Sequence, residues 1–129
     1  MQCPKCHSTM EPIAMAQANV HRCEGCRGLW FEMVDHETLK DRAAELDVGD
    51  PVQGEQYNKI DRIKCPACVG HRDLIRMVDP LQPHIWFESC KGCYGRFYDA
   101  GEYRDFAEIE FADRSRTGTR PSASDAAGA

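Results

Sequence analysis

Residues 23–32 read CEGCRGLWFE and residues 90–99 read CKGCYGRFYD. In register, the two decapeptides share both cysteines, two glycines (Gly25 with Gly92, Gly28 with Gly95), an adjacent aromatic pair (Trp30-Phe31, Phe97-Tyr98) and an acid (Glu32, Asp99). A second acid follows three residues later in each, Asp35 and Glu102. Upstream of each lies another cysteine pair, CPKC at 3–6 and CPAC at 65–68. Agreement that extends beyond the cysteines marks the chain as two copies of one unit.

The eight cysteines therefore form two sets of four: Cys3, Cys6, Cys23 and Cys26, then Cys65, Cys68, Cys90 and Cys93. A CxxC turn presents two thiolates from one tight backbone knuckle, and two knuckles complete a tetrahedral site for a soft divalent ion. The intervening stretches, 16 residues in copy one and 21 in copy two, are long enough to fold back as hairpins, and they sit at or just beyond the usual ribbon spacing. The expected cofactor is Zn2+, two per chain. Iron is the rival, because four thiolates also hold iron. Paired disulfides or a catalytic dithiol fit less well with a doubled pattern and no secretory signal. Gly28, Gly70 and Gly95, each two residues past a CxxC, are expected where the chain turns back on the sulfurs.

These quartets set the organisation. The fold class expected is a small, metal-stabilised α+β protein of two tandem zinc ribbons, each a β-hairpin between CxxC knuckles followed by a short helix. In the second hairpin, Leu74 to Val78 and His84 to Phe87 flank the turn-forming DPLQP; in the first, Ile13, Met15 and Val20 are the anchors. Leu39, Ala43 and Leu46, and later Tyr103, Phe106 and Ile109, fall at helical spacing. Residues 1–46 form ribbon one with its helix, and 47–62, polar and carrying Gly49, Pro51 and Gly54, form a linker. Residues 63–114 form ribbon two with its helix, and 115–129, small and polar, form a disordered tail. A chain of 129 residues has a thin core, so metal supplies much of the folding energy. Chelation, or Cys→Ser at Cys23 or Cys90, is expected to unfold the ribbon that carries it.

In these residues the chain resembles the bacterial transcription-factor zinc-finger family, small ribbons likened to the zinc ribbon of transcription factor IIB. Copy one carries the pattern at Cys3, Pro4, Cys6, Met10, Cys23, Cys26, Gly28, Trp30, Phe31, Glu32 and Asp35. Copy two carries it at Cys65, Pro66, Cys68, Cys90, Cys93, Gly95, Phe97, Tyr98, Asp99, Gly101 and Glu102, with Arg72 in the place of Met10. The resemblance implies metal-built ribbons and, through the family name, an association with transcription.

Several function classes recede on chemistry. The net charge is −5 with neutral histidines, and about −9 once eight thiolates and two divalent ions are counted. Non-specific nucleic-acid binding needs a basic stripe; Lys5, Arg22 and Arg27 near the first site, and Arg114, Arg116 and Arg120 in the tail, are the local candidates. Closed four-thiolate sites leave no open coordination position, and no nucleophile stands beside a base, so no catalytic residues are assigned and the chain is read as a non-enzyme. His7, His21, His36, His71 and His84 are surplus to both sites. The repeated acids Glu32, Asp35, Asp99 and Glu102 are read as helix caps, and the aromatics as core. The expected role is a protein-interaction adaptor. Nucleic-acid binding, and metal storage, delivery or a thiol redox switch, are the alternatives. The start MQCPKCHSTM resembles no secretory signal, and no apolar run approaches the roughly 20 residues of a membrane span, so a cytoplasmic location without membrane partners is expected.

Overall fold

The computed structural model describes residues 1–15, 18–60, 62–68, 70 and 72–107. Each unit folds as a three-stranded antiparallel ribbon. Copy one supplies β1 (Met10–Ile13), β2 (Val20–Cys23) and β3 (Leu29–Phe31). Copy two supplies β4 (Leu74–Val78), β5 (Trp86–Cys90) and β6 (Arg96–Tyr98). In both hairpins the first cysteine of the second knuckle ends the return strand and faces a buried apolar residue, Met10 opposite Cys23 and Leu74 opposite Cys90.

That register corrects one correspondence. Arg72 stands not where Met10 stands but where Ser8 stands. The Cys3 amide donates to the Ser8 carbonyl at 2.8 Å, and the Cys65 amide to the Arg72 carbonyl at 2.6 Å. Copy two has two more residues between its first knuckle and its hairpin, so a count from the cysteines slips, and Leu74 takes the place of Met10.

The ribbons do not stand apart. β3 pairs antiparallel with β6, giving one six-stranded sheet in the order β1-β2-β3-β6-β5-β4. Leu29 faces Tyr98, Trp30 faces Phe97, and Phe31 faces Arg96. The first and third pairs exchange equivalent positions, and the middle pair is equivalent to itself, so a local twofold axis passes between Trp30 and Phe97. The glycines of the repeated motif have their reason here. A methyl group on Gly28 would overlap the Phe97 ring, and one on Gly95 would overlap the Trp30 indole. Each copy's aromatic therefore lies on the other copy's glycine. The tight turn expected of these glycines is made instead by the residues before them, Arg27 (φ 65°) and Tyr94 (φ 64°).

Adjacent residues on a strand face opposite sides of a sheet, so each aromatic dipeptide feeds two cores. On one side Phe31, Tyr98 and Phe87 pack with Val20 and Leu29. This core is covered by the helical segments α1 (Asp35–Thr38) and α2 (Ala43–Leu46), joined by a 3-10 turn at Lys40–Arg42, and by α4 (102–107). The expected stripes Leu39, Ala43 and Leu46, and Tyr103 and Phe106, are the residues buried there. On the other side Trp30 and Phe97 pack with Met10, Leu74, Ile63 and the cysteines.

Of the polar segment 47–62, expected as a linker, residues 47–60 are folded. It contains α3 (Pro51–Asn58), started by Pro51 and by the Asp50 carboxylate, which accepts from the Val52 amide at 2.9 Å. Gly54 lies against the Ala100 carbonyl with no room for a side chain. Asp47, fully buried, accepts from the amides of Gly101 at 2.9 Å and Arg104 at 2.9 Å, and so caps α4. The tail at 115–129, Ile109 and His71 lie outside the described residues.

Candidate metal centres

Both quartets assemble. Within each, the four sulfurs lie within 4.8 Å of one another. Four ligands about 2.3 Å from a central ion sit roughly 3.8 Å from each other. Cys3 and Cys26 sulfurs are 3.8 Å apart, Cys65 and Cys93 3.7 Å, Cys68 and Cys90 3.6 Å, and Cys6 and Cys23 3.2 Å. None is bonded to another, and a disulfide would require about 2.05 Å. The donor set thus fits a tetrahedral divalent ion. Backbone amides in the knuckles point at the sulfurs: Lys5 to Cys3 at 3.4 Å, Gly25 to Cys23 at 3.3 Å, Cys68 to Cys65 at 3.3 Å and Gly92 to Cys90 at 3.3 Å. Such bonds orient thiolates and disperse their charge.

Without a cation the sulfurs compete for protons. A hydrogen bond from the Cys26 thiol brings Cys3 down to about 5, while that same bond, with burial, raises Cys26. Burial pushes Cys23 up to about 11 and also raises Cys65. Burial opposes ionisation of Cys90 too, but the amides of Cys93 and Gly92 outweigh it and set it at about 7. A divalent ion held by the four cysteines would remove the conflict, because its charge would let all four thiolates ionise.

The acids of the repeated motif have another role than the helix caps expected. The Asp35 carboxylate accepts from the Asn19 amide at 2.8 Å, and the Glu102 carboxylate from the Trp86 amide at 3.0 Å. Asn19 and Trp86 occupy equivalent places four residues before Cys23 and Cys90, so each acid latches its own hairpin. Burial lifts Glu102 to about 7. α1 has no side-chain cap, and α4 takes its cap from Asp47.

Asp99 belongs to a network that has no counterpart in ribbon one among the described residues. Lys5, in the first knuckle, extends into the second ribbon with its ammonium fully buried, 2.8 Å from Asp99 and 3.2 Å from Glu88. The ammonium also donates to the Tyr57 carbonyl at 3.1 Å and lies 5.5 Å from the centre of the Phe97 ring. Arg76 approaches Glu88 at 3.4 Å, and Asn58 donates to Asp99 at 3.1 Å. Even so, burial raises both acids, Glu88 to about 7. The expectation that Lys5 lies on an open basic face is therefore corrected: it is a buried tie between the first metal knuckle, α3 and ribbon two. Arg22 is likewise turned inward, donating to the Leu46 carbonyl at 3.2 Å, and Arg27 is exposed. His36 is buried, and neither His7 nor His84, both exposed, belongs to a cysteine quartet.

Fold and sites together define a small α+β protein of two four-cysteine zinc ribbons joined edge to edge. Residues 2–42 match the family described as transcription factor zinc-finger; ribbon two lies outside the matched stretch and is related to ribbon one through its own quartet and the internal repeat. No curated protein and no solved structure matches the chain. Among the described residues no helix is long and apolar enough to cross a membrane.

Proposed function

We propose that the chain is a non-enzymatic adaptor whose two zinc ions hold a rigid scaffold for a protein partner. The observation that carries this reading is the outer surface of the second hairpin. Ile75, Met77, Val78, Leu81 and Trp86 are all exposed there, whereas the described part of the first hairpin exposes no large apolar side chain. Several large apolar side chains exposed on one short hairpin of a small protein are costly unless a partner covers them. Closed quartets support a structural role for the metal, because every thiolate is already committed and no position remains for substrate or water. The description of the matched family supports placing the partner in the transcription machinery. Burial of Lys5 and the inward turn of Arg22 remove two of the three cations nearest the first site that nucleic-acid binding would use.

Two measurements test this. Metal analysis of purified protein is expected to give two zinc atoms per chain, and two iron atoms would overturn the zinc assignment. Affinity capture with the metal-loaded full chain is expected to recover the same protein reproducibly after nuclease treatment. Recovery of RNA or DNA with no reproducible protein would overturn the adaptor reading.

A further inference from the structure

The two outer strands of the sheet, β1 and β4, end differently. In both copies the first outward-facing amide is taken by a residue upstream of the first knuckle: Met10 donates to Met1 at 2.9 Å, and Leu74 donates to Ile63 at 2.9 Å. Two residues on, the next outward position is Pro12 in β1 and Arg76 in β4. Proline has no N–H to offer, which closes an edge against further pairing. β4 keeps its amide at Arg76, runs one residue longer to Val78, and has no strand beside it among the described residues. An open edge flanked by exposed apolar side chains is a template for strand addition. Ile75 and Met77 lie on one side of it, and Val78, paired with Trp86, on the other.

Charge identifies the kind of strand. Behind Trp86 is a cavity of about 340 Å³ lined by Glu55, Glu102 and Asp105 together with His84 and Asn58. No lysine or arginine lines it among the described residues. Trp86 is 38% exposed and already carries a cation, the Arg76 guanidinium 5.5 Å from its ring. The Arg76 side chain itself is drawn inward to the carbonyls of Asn58 and Ile60 and to Glu88, so it leaves the edge free of a projecting charge.

We propose that the outer edge of β4 docks an extended, basic segment of a protein partner, which pairs with the strand through its backbone and sets a lysine or arginine in the acidic cavity beside Trp86. This rests on the adaptor reading and names its surface. An aromatic face beside carboxylates is a cation site, and the alternation of a strand lets one side of the segment cover Ile75 and Met77 while the other presents its basic residues.

Titration of the zinc-loaded full chain with a short peptide of alternating valine and lysine, followed by backbone amide NMR, tests it. The peptide is expected to shift the amides of 74–78 and the Trp86 indole. The same peptide with glutamate for lysine, or with a central proline, is expected not to. Trp86→Ala should weaken binding about tenfold. Val78→Pro, which removes the next outward amide of β4 and leaves Arg76 on Glu88, should abolish it, with unchanged Trp30 signals reporting an intact fold. No shift at peptide concentrations on the order of 1 mM, equal binding of the glutamate peptide, or shifts confined to another surface would overturn the proposal. So would sedimentation as a dimer that the peptide does not dissociate, which would give the edge to a second copy of the chain. Equal capture of a protein partner by Val78→Pro would overturn this surface while leaving the adaptor reading in place, and absence of any captured protein would overturn both.

Discussion

Ribbon one and ribbon two have the same frame and different trim. Both place a methionine or leucine opposite the third cysteine, an acid on the hairpin amide, and an aromatic on the other copy's glycine. Yet the position of Lys5 is Ala67 in copy two, that of Glu88 is His21 in copy one, and that of Tyr103 is His36 in copy one. Shared positions build the ribbon and the joint between ribbons. Unshared positions are each used once, and Lys5 crosses the joint with them. A duplicated protein can thus keep its scaffold symmetric and place its specific contacts in the differences.

If the halves are one folding unit, breaking either site should damage both. Cys90→Ser is expected to cost ribbon one its structure as well as ribbon two, because Trp30 and β3 lose their covering. This goes further than the loss of the mutated ribbon alone that the cysteine pattern predicts. Amide NMR of the variant with zinc present decides it: native shifts retained at Met10–Ile13 and Leu29–Phe31 would show two independent units.

Lys5→Met should have the next largest effect. Removing one member of a buried ion network strands Glu88 and Asp99, at a cost of about 3–5 kcal/mol. Native mass spectrometry at half-saturating zinc should show mainly empty and doubly loaded wild-type protein, with singly loaded protein accumulating in the variant. An unchanged distribution would mean that Lys5 plays no part in coupling the sites.

Gly28→Ala and Gly95→Ala, which press a methyl group onto Phe97 and Trp30, should each cost about 1–3 kcal/mol in denaturant unfolding of the zinc-loaded protein. Their near-equality would be the signature of the twofold axis, and a large inequality would argue against it.

The smallest effect separates His36 from Tyr103. Burial, aided by the Arg96 charge, lowers His36 to about 4, below the ordinary value of about 6.5. A base depressed in the folded state stabilises the fold fully above its unfolded value, and that contribution is lost as pH falls from about 6.5 toward 4. The His36 ring resonances should stay neutral in character at pH 5.5; titration near 6.5 would show that this core is open to water.

The cysteine quartets, the hairpins, and the apolar stripes of Leu39, Ala43 and Leu46 were legible in the sequence, because each has a local spacing that physical chemistry ties to one geometry. The joint was not. Edge-to-edge pairing of β3 with β6 has no short-range signature, although the Gly-x-aromatic repeat that locks it stood in plain view as a turn and a core residue. Lys5 reads as a solvated knuckle lysine because nothing nearby in sequence opposes it; Glu88 and Asp99 lie more than eighty positions away. The segment 47–62 reads as a linker because its glycines and polar residues argue against a helix, and only the carbonyl of Ala100 explains why Gly54 must sit inside one. The hairpin-latching acids Asp35 and Glu102 read as caps because they stand at the right distance from a helix start.

The twofold axis between Trp30 and Phe97 has the form of a homodimer interface, an isologous contact in which the same patch meets itself. Here residues 47–62 tether the two patches covalently, so their association is governed by an effective concentration set by the connection, not by how much protein is present. Dilution, which dissolves dimers, leaves such a joint untouched.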